Sequence, residues 1–333
     1  MTGVKALGVC LSVALAALPG AAAATKQPGT LLFPAWSPDG KTIVWADAPY
    51  ANVPSPPGWQ IWAANADGSK AHLVTRGAVL GEGLAQLGWA KRRSIAFAGN
   101  FSLYLQQLGG RPKLLAVNIG DSFSSGAKGS RFAYTASACG QGKCPSRIVV
   151  LDTATSRHDV IGDVTSEYSE PTLSPDGAEV AFASPDGLMT SNLSGTSVRK
   201  LAPLGNCPQW SPDGRRILYV GTGGDLLVIP ATGGPSTPLT AQAVGCGYSP
   251  FNFGWSPDGK HVALINPPGD RLLIIDVATQ RARTLRAFAH VAGFAWSPDS
   301  SRLLVAARPS PAACTSLWRV DATGAHAKLI VRC

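Results

Sequence analysis

One phrase recurs along this chain and limits what it can fold into. It reads WSPDGKHVALI from Trp255, a turn signal followed by a short apolar run. Five copies begin at Trp36, Leu173, Trp210, Trp255 and Trp296, and two decayed copies, which lack Ser-Pro-Asp, begin at Trp89 and Ser125. Consecutive copies start 36 to 53 residues apart, which is close to the length of a β-propeller blade. The repeat therefore predicts an all-β fold, a seven-bladed β-propeller of four-stranded antiparallel blades.

Each copy predicts the inner hairpin of a blade. Ser, Pro and Gly occupy the positions that a type I turn favours, and the Asp can accept hydrogen bonds within the turn. The run after the turn is apolar on both faces, as in a sheet packed between two others. The residue before the copy is small in six of seven cases, which indicates crowding near the propeller axis. We interpret the turn aspartates as structural rather than catalytic: Asp39, Asp176, Asp213, Asp258 and Asp299.

The first 24 residues have the pattern of a secretory signal peptide. Lys5 precedes an apolar stretch at 6–18, and small residues at 21–24 provide a cleavage site. The stretch is shorter than the roughly 20 residues of a membrane-spanning helix, and no later segment reaches that length. We therefore expect residues 1–24 to be a signal peptide and residues 25–333 to be a single β-propeller domain. The mature protein is then secreted or periplasmic, within the cell envelope.

Six cysteines follow the signal segment, in an oxidising setting if the protein is exported. The expected strand order brings them together as three disulfides: Cys139 with Cys144, Cys207 with Cys246, and Cys314 with Cys333. Metal binding is the competing interpretation of such cysteines. The chain has no C-x-x-C pair and no histidine at ligand spacing, so we expect neither a metal nor a cofactor.

The two faces of the predicted propeller differ in chemistry. The turn face holds the inner hairpin turns, and basic residues surround it: Lys41, Lys91, Arg92, Arg93, Lys128, Arg131, Arg215, Arg216, Lys260 and Arg302. With a net charge of +9, this basic fringe can attract anionic polymers or lipid headgroups. The alternative is that these side chains are solvated turn and strand ends. The opposite, long-loop face carries the longer connections, where binding residues usually lie.

The long loops supply the candidate binding residues. Three aromatic side chains suit stacking on a sugar or gripping a peptide: Tyr50, Trp59 and Tyr248. Six polar residues are expected around the mouth of the central channel: Glu82, Asp121, Glu167, Glu170, Asn252 and His290. Carboxylates around a channel mouth can hold a cation or orient a substrate. They can equally be solvated acids without a function.

The repeated phrases resemble the WD-like propeller repeat of bacterial TolB-type proteins, which also occurs in the propellers of prolyl-oligopeptidase-like peptidases. TolB-type proteins carry a mixed α/β domain before a propeller that is usually six-bladed. Here about a dozen residues separate the signal segment from the first of seven copies. The peptidases add a hydrolase domain, and this chain has no G-x-S-x-G nucleophile elbow. The resemblance therefore implies a fold rather than an activity.

We expect an exported, non-catalytic propeller that binds a protein or an envelope polymer through its long-loop face. We expect it to be a monomer that does not bind nucleic acid. One alternative is a lyase or hydrolase at the channel mouth, with Glu82, Glu170 and His290 as acid–base candidates. Another is a structural accessory subunit without a small-molecule site.

Overall fold

The computed structural model describes residues 30–48, 58–76, 80, 83–91, 93–126, 129–137, 146–164, 170–240, 244, 246, 252–266, 269–285 and 288–333. Within these residues the chain forms 28 β-strands. They make seven four-stranded antiparallel sheets, each from four consecutive strands. The predicted all-β, seven-bladed β-propeller is therefore confirmed. The described ranges contain no helix long and apolar enough to cross a membrane.

Each blade runs from its inner to its outer strand in chain order. The strands of blades one to three are β1 (Thr30–Trp36), β2 (Thr42–Ala48), β3 (Gln60–Asn65), β4 (His72–Arg76), β5 (Leu84–Lys91), β6 (Ser94–Gly99), β7 (Ser102–Gln107), β8 (Lys113–Val117), β9 (Ile119–Ser125), β10 (Arg131–Ser137), β11 (Ser146–Asp152) and β12 (Arg157–Val164). Those of blades four and five are β13 (Thr172–Leu173), β14 (Glu179–Ser184), β15 (Gly187–Asn192), β16 (Arg199–Ala202), β17 (Asn206–Trp210), β18 (Arg216–Val220), β19 (Leu226–Pro230) and β20 (Thr237–Thr240). Those of blades six and seven are β21 (Phe253–Trp255), β22 (His261–Ile265), β23 (Leu272–Asp276), β24 (Ala282–Thr284), β25 (His290–Trp296), β26 (Arg302–Arg308), β27 (Ser316–Asp321) and β28 (Ala327–Val331).

The Ser-Pro-Asp-Gly turn is stabilised by a small hydrogen-bond network. In blade one, the Ser37 hydroxyl donates to the Asp39 carboxylate at 2.7 Å and accepts the backbone N–H of Thr42 at 2.9 Å. The N–H of Gly40 closes the turn on the Ser37 carbonyl at 2.8 Å. The same serine-to-aspartate bond recurs in the copies at Ser174, Ser211, Ser256 and Ser297. The interpretation of these aspartates as turn residues is confirmed.

The tryptophans of the repeat connect neighbouring blades. The indole N–H of Trp210 donates to the carbonyl of Thr172, one blade back, at 3.1 Å. Three further tryptophans donate in the same way to the residue before the preceding copy: Trp89 to Ala35, Trp255 to Gln209, and Trp296 to Gly254. The recurring tryptophan therefore supplies both an apolar ring and a donor to the adjacent inner strand.

The hydrophobic core is divided among the interfaces between blades. Within the described residues, seven buried clusters each combine side chains of two neighbouring blades. In blade four, Ala181 packs with blade five, whereas Val180 and Phe182 pack with blade three. A strand that serves two interfaces must be apolar on both faces, as the sequence predicts.

Blades one and seven close the ring without exchanging a strand. Ile43 of blade one shares a buried cluster with Leu304 and Leu317 of blade seven. In the β3–β4 turn, Gly68 has φ +86°, and a Cβ there would lie 2.3 Å from the carbonyl oxygen of Ile330. Closure therefore depends on side-chain packing and on a turn that only glycine fits.

Two of the three predicted disulfides are present. Cys207–Cys246 joins β17 to the connection that leads to β21, and so links blades five and six. Cys314–Cys333 holds the chain after β28 beside the start of β27. Both pairings are confirmed. The pairing of Cys139 with Cys144 stays a prediction, because both residues lie outside the described ranges.

The indole hydrogen bond can be tested by comparing two tryptophans that are both 9% exposed. Trp210→Phe is expected to lower the free energy of unfolding by about 1 kcal/mol more than Trp36→Phe. The reason is that the Trp210 N–H has an acceptor, whereas the buried N–H of Trp36 has none in the described part of the chain. Urea denaturation of both variants measures the difference. Equal losses would mean that the hydrogen bond contributes nothing.

The Cys314–Cys333 disulfide closes a loop with a sequence separation of 19 residues. Replacing both cysteines by serine is expected to lower the free energy of unfolding by about 3 kcal/mol, because the unfolded chain regains the entropy of the open loop. Hydrogen exchange should accelerate most in β28, the outermost strand of blade seven. Unchanged exchange in β28 would contradict a role in holding this strand.

Candidate functional site

A small recess lies beside the propeller axis, on the long-loop face. It has a volume of about 30 Å³, enough to hold ordered water. Its walls come from the inner strands and preceding loops of blades three to six: Ser122, Phe123, Glu170, Pro171, Thr172, Cys207, Pro208, Gln209, Cys246 and Phe253. We call it the channel-mouth recess. Because four consecutive blades line it, it lies where their inner strands converge.

The backbone in front of the repeat places Glu170 in this recess. Glu170 and Cys207 are each the third residue before a copy of the phrase, and they have φ values of 38° and 54°. Phe33 holds the same position in blade one, with φ 50°. The pairing of β1 with β2 and of β17 with β18 shifts register there. The left-handed residue coincides with a bulge in blades one and five, and the same φ recurs at Glu170, so this backbone conformation is not peculiar to Glu170.

Glu170 is the predicted site residue with the most altered chemistry. Burial raises the pKa of its carboxyl group from 4.5 to about 7, because a carboxylate is poorly solvated in this environment. One carboxylate oxygen and the sulfurs of Cys207 and Cys246 lie within 4.8 Å of one another. The sulfurs are bonded to each other, so Glu170 is the ionisable member of the three. At neutral pH this group can both give and accept a proton.

His290 is located in a different part of the long-loop face. It begins β25 and stands opposite Arg308 of β26. Partial burial, followed by the positive charge of Arg308, lowers the pKa of the imidazole and so favours its neutral form. The residues that line the recess do not include His290. Two of the three predicted acid–base candidates, Glu170 and His290, are therefore not brought together in this recess.

Of the other predicted site residues, three lie in the described part of the chain and four lie outside it. The half-buried ring of Trp59 packs on Phe33 of its own blade, with centroids 6.4 Å apart. Asn252 is half-buried, and its carbonyl accepts the N–H of Ile265 at 2.7 Å. Asp121 lies in β9. Four others fall outside the described residues: Tyr50, Glu82, Glu167 and Tyr248.

Polar side chains on the inner strands form contacts that the sequence analysis did not identify. Gln86 accepts the N–H of Phe123 at 2.7 Å, in the next blade. Gln209 donates to the carbonyl of Phe253 at 3.1 Å, again in the next blade. The sequence feature that could have indicated these contacts is a glutamine in an inner strand otherwise rich in small and apolar residues. These amides connect neighbouring blades, and Gln209 also lines the channel-mouth recess.

Two residues of the basic fringe, Arg131 and Arg216, form contacts with a neighbouring blade. Arg131 pairs with Asp152 at 3.0 Å and donates to the carbonyl of Gly177 in blade four at 2.8 Å. Arg216 donates to the carbonyl of Gly259 in blade six at 3.1 Å, and its guanidinium carbon lies 5.0 Å from the centre of the Trp255 ring. These two arginines therefore connect blades. Arg92 and Lys128 lie outside the described residues.

Known proteins resemble this chain in fold but supply no family. No protein-family model and no curated protein matches it. Oligogalacturonate lyase from Vibrio parahaemolyticus has a TM-score of 0.67 and 14% identity, covering 88% of this chain and 90% of its own. An oligogalacturonate lyase in complex with manganese gives the same TM-score and identity, covering 88% of this chain and 89% of its own. TolB from Acinetobacter baumannii has a TM-score of 0.53 and 18% identity, covering 76% of this chain and 62% of its own. At such identities the similarity, including that to TolB, shows the propeller fold alone.

The burial of Glu170 predicts a specific pH dependence of stability. Its pKa is about 7 in the folded protein against an ordinary 4.5, so the folded state holds the proton more tightly than the unfolded state does. The free energy of unfolding therefore falls as pH rises from about 4.5 to about 7. Glu170→Gln is expected to remove this fall and to stabilise the protein at pH 8 by on the order of 1–3 kcal/mol.

Urea denaturation at pH 4.5 and at pH 8 measures this effect. The matched control is Glu179→Gln, since the Glu179 side chain is 39% exposed and its removal leaves the buried carboxyl in place. The control should keep the fall in stability. A Glu170→Gln variant with the same pH dependence as the unmodified protein would show that Glu170 is not the group responsible.

Proposed function

We propose that this protein is an exported, non-catalytic propeller that binds a protein or an envelope polymer through its long-loop face. The channel-mouth recess carries the proposal, since its described lining offers one ionisable side chain, Glu170. Acid–base catalysis usually needs groups placed against the bonds of a substrate, and the described lining of this recess does not include the other described candidate, His290. The long connections of this face extend from a ring of seven packed blades, and loops on a rigid scaffold are where binding residues usually lie.

Export is supported by two lines of reasoning. The first 24 residues have the order of a signal peptide, with a lysine, an apolar stretch and small residues. The disulfides Cys207–Cys246 and Cys314–Cys333 fit an oxidising compartment outside the cytoplasm. We therefore propose that the mature protein acts in the periplasm or outside the cell.

In-cell photo-crosslinking can test which face binds the partner. A photoreactive residue at Leu204 or Ser310 lies in an exposed connection of the long-loop face, whereas one at Lys41 or Lys260 lies on an exposed turn of the opposite face. We expect both long-loop positions to capture the same partner and the two turn positions to capture none. Adducts from the turn positions alone would overturn the assignment of the binding face.

One observation favours the enzyme alternative. A carboxyl group with a pKa of about 7 at the channel mouth is suited to proton transfer, and two of the structural neighbours are oligogalacturonate lyases. Incubation with oligogalacturonate and manganese, followed by the absorbance of the unsaturated product, tests this alternative directly. We expect no turnover. Turnover that Glu170→Gln abolishes would replace the binding proposal with a lyase.

A further inference from the structure

Three possible metal-ligand atoms line the channel-mouth recess. Two of them are sulfurs, which can bind a metal only when the disulfide between them is reduced. The Sγ atoms of Cys207 and Cys246 and one carboxylate oxygen of Glu170 lie within 4.8 Å of one another. While the sulfurs are bonded together, neither carries the thiolate charge that binds a metal. Reduction of this disulfide creates two thiolates beside a buried carboxyl group.

In the oxidised protein the fold places these side chains close together. Glu170 and Cys207 each lie three residues before a copy of the phrase, both have a positive φ, and both line the recess. The Cα atoms of Cys207 and Cys246 are 5.9 Å apart. Zn–S bonds of about 2.3 Å at a tetrahedral angle place two sulfurs about 3.8 Å apart. Rotation about the Cα–Cβ bonds can supply this separation without moving the two blades.

We propose that reduction of Cys207–Cys246 converts this cluster into a zinc-binding site. The ligands are the thiolates of Cys207 and Cys246 and the carboxylate of Glu170. The recess admits one water molecule as the fourth ligand. Two sulfurs, one oxygen and a water in tetrahedral geometry suit Zn²⁺, whereas Mg²⁺ and Ca²⁺ prefer oxygen ligands throughout.

The conversion needs a dithiol reductant. One of its thiolates attacks the Sγ of Cys246, which is half-buried and lines the recess, and the S–S bond breaks with Cys207 leaving as a thiolate. The second thiolate of the reductant attacks the mixed disulfide and releases Cys246. The reductant is oxidised to its own disulfide, and the protein gains two electrons. Zn²⁺ then binds the two thiolates in place of their protons.

This exchange would preserve a link between two blades. The disulfide joins β17 of blade five to the connection before blade six, and removing it alone frees that connection. A zinc ion bound by both cysteines and by Glu170 would join blades four, five and six. The site therefore makes the stability of the reduced ring dependent on metal.

Cobalt titration of the mature chain, residues 25–333, tests the site without the thiol of Cys10. After reduction with a dithiol and anaerobic removal of the reductant, we expect one equivalent of Co²⁺ to give tetrahedral and thiolate-to-metal absorption bands, which Zn²⁺ then abolishes. The oxidised protein should give neither band. A Cys139→Ser/Cys144→Ser background removes the two cysteines that lie outside the described residues. Reduced protein without these bands, or with bands only when Cys139 and Cys144 are present, would overturn the proposal.

Variants separate the three ligands from the other cysteines. In that background, Glu170→Gln is expected to weaken zinc binding at least tenfold while leaving the disulfide able to form. Cys314→Ser/Cys333→Ser is the matched control and should bind zinc normally. Cys207→Ser/Cys246→Ser should abolish binding; if it does not fold, Glu170→Gln and the oxidised protein still decide the question. Zinc affinity unaffected by Glu170→Gln would remove Glu170 from the site and overturn the proposal as stated.

Discussion

The architecture depends on the contact between the inner strands of neighbouring blades, where a propeller has least space. A backbone carbonyl in this crowded region is shielded from water and needs a donor from the protein. Trp210 provides one to Thr172, and its ring fills the interface on the same side. The residue whose carbonyl accepts the indole N–H is either small or forms a side-chain hydrogen bond to the next blade. Gln209 is the second kind. Where blades seven and one meet, the indole N–H of Trp36 has no acceptor within the described residues. Hydrophobic packing stabilises that interface.

The same construction uses the turn aspartates and two arginines of the basic fringe, Arg131 and Arg216. Hydrogen bonds from Ser211 and Ser297 lower the pKa of Asp213 and of Asp299, so these carboxylates stay ionised at neutral pH and act as acceptors within their turns. Arg216 is directed toward the next blade by the Gly259 carbonyl. A repeat that places an aspartate in five of its seven inner turns therefore makes these aspartates uninformative about activity.

Much of this fold follows from the sequence because each feature has a local cause. The turn chemistry, the apolar second strand and the copy spacing predict seven blades, and the strand order then predicts the pairs Cys207–Cys246 and Cys314–Cys333. The raised pKa of Glu170 could not be derived in this way, because its burial is produced by residues of four blades. The contact of Gln86 with Phe123 likewise depends on the relative position of two sheets, which no local pattern contains.

The third residue before each copy shows where function can enter a repeated scaffold. The backbone there is similar in blades one, four and five, and the side chains differ: Phe33 packs in a core cluster, Cys207 forms a disulfide, and Glu170 places a carboxyl group in the recess. A left-handed non-glycine residue is strained, and burial of a carboxyl group adds a further cost above its pKa. Glutamine would avoid the second cost. Glu170 therefore lowers the stability of its blade at neutral and higher pH, and the repeat itself does not require a carboxyl group there, since Phe33 and Cys207 hold the equivalent position in blades one and five.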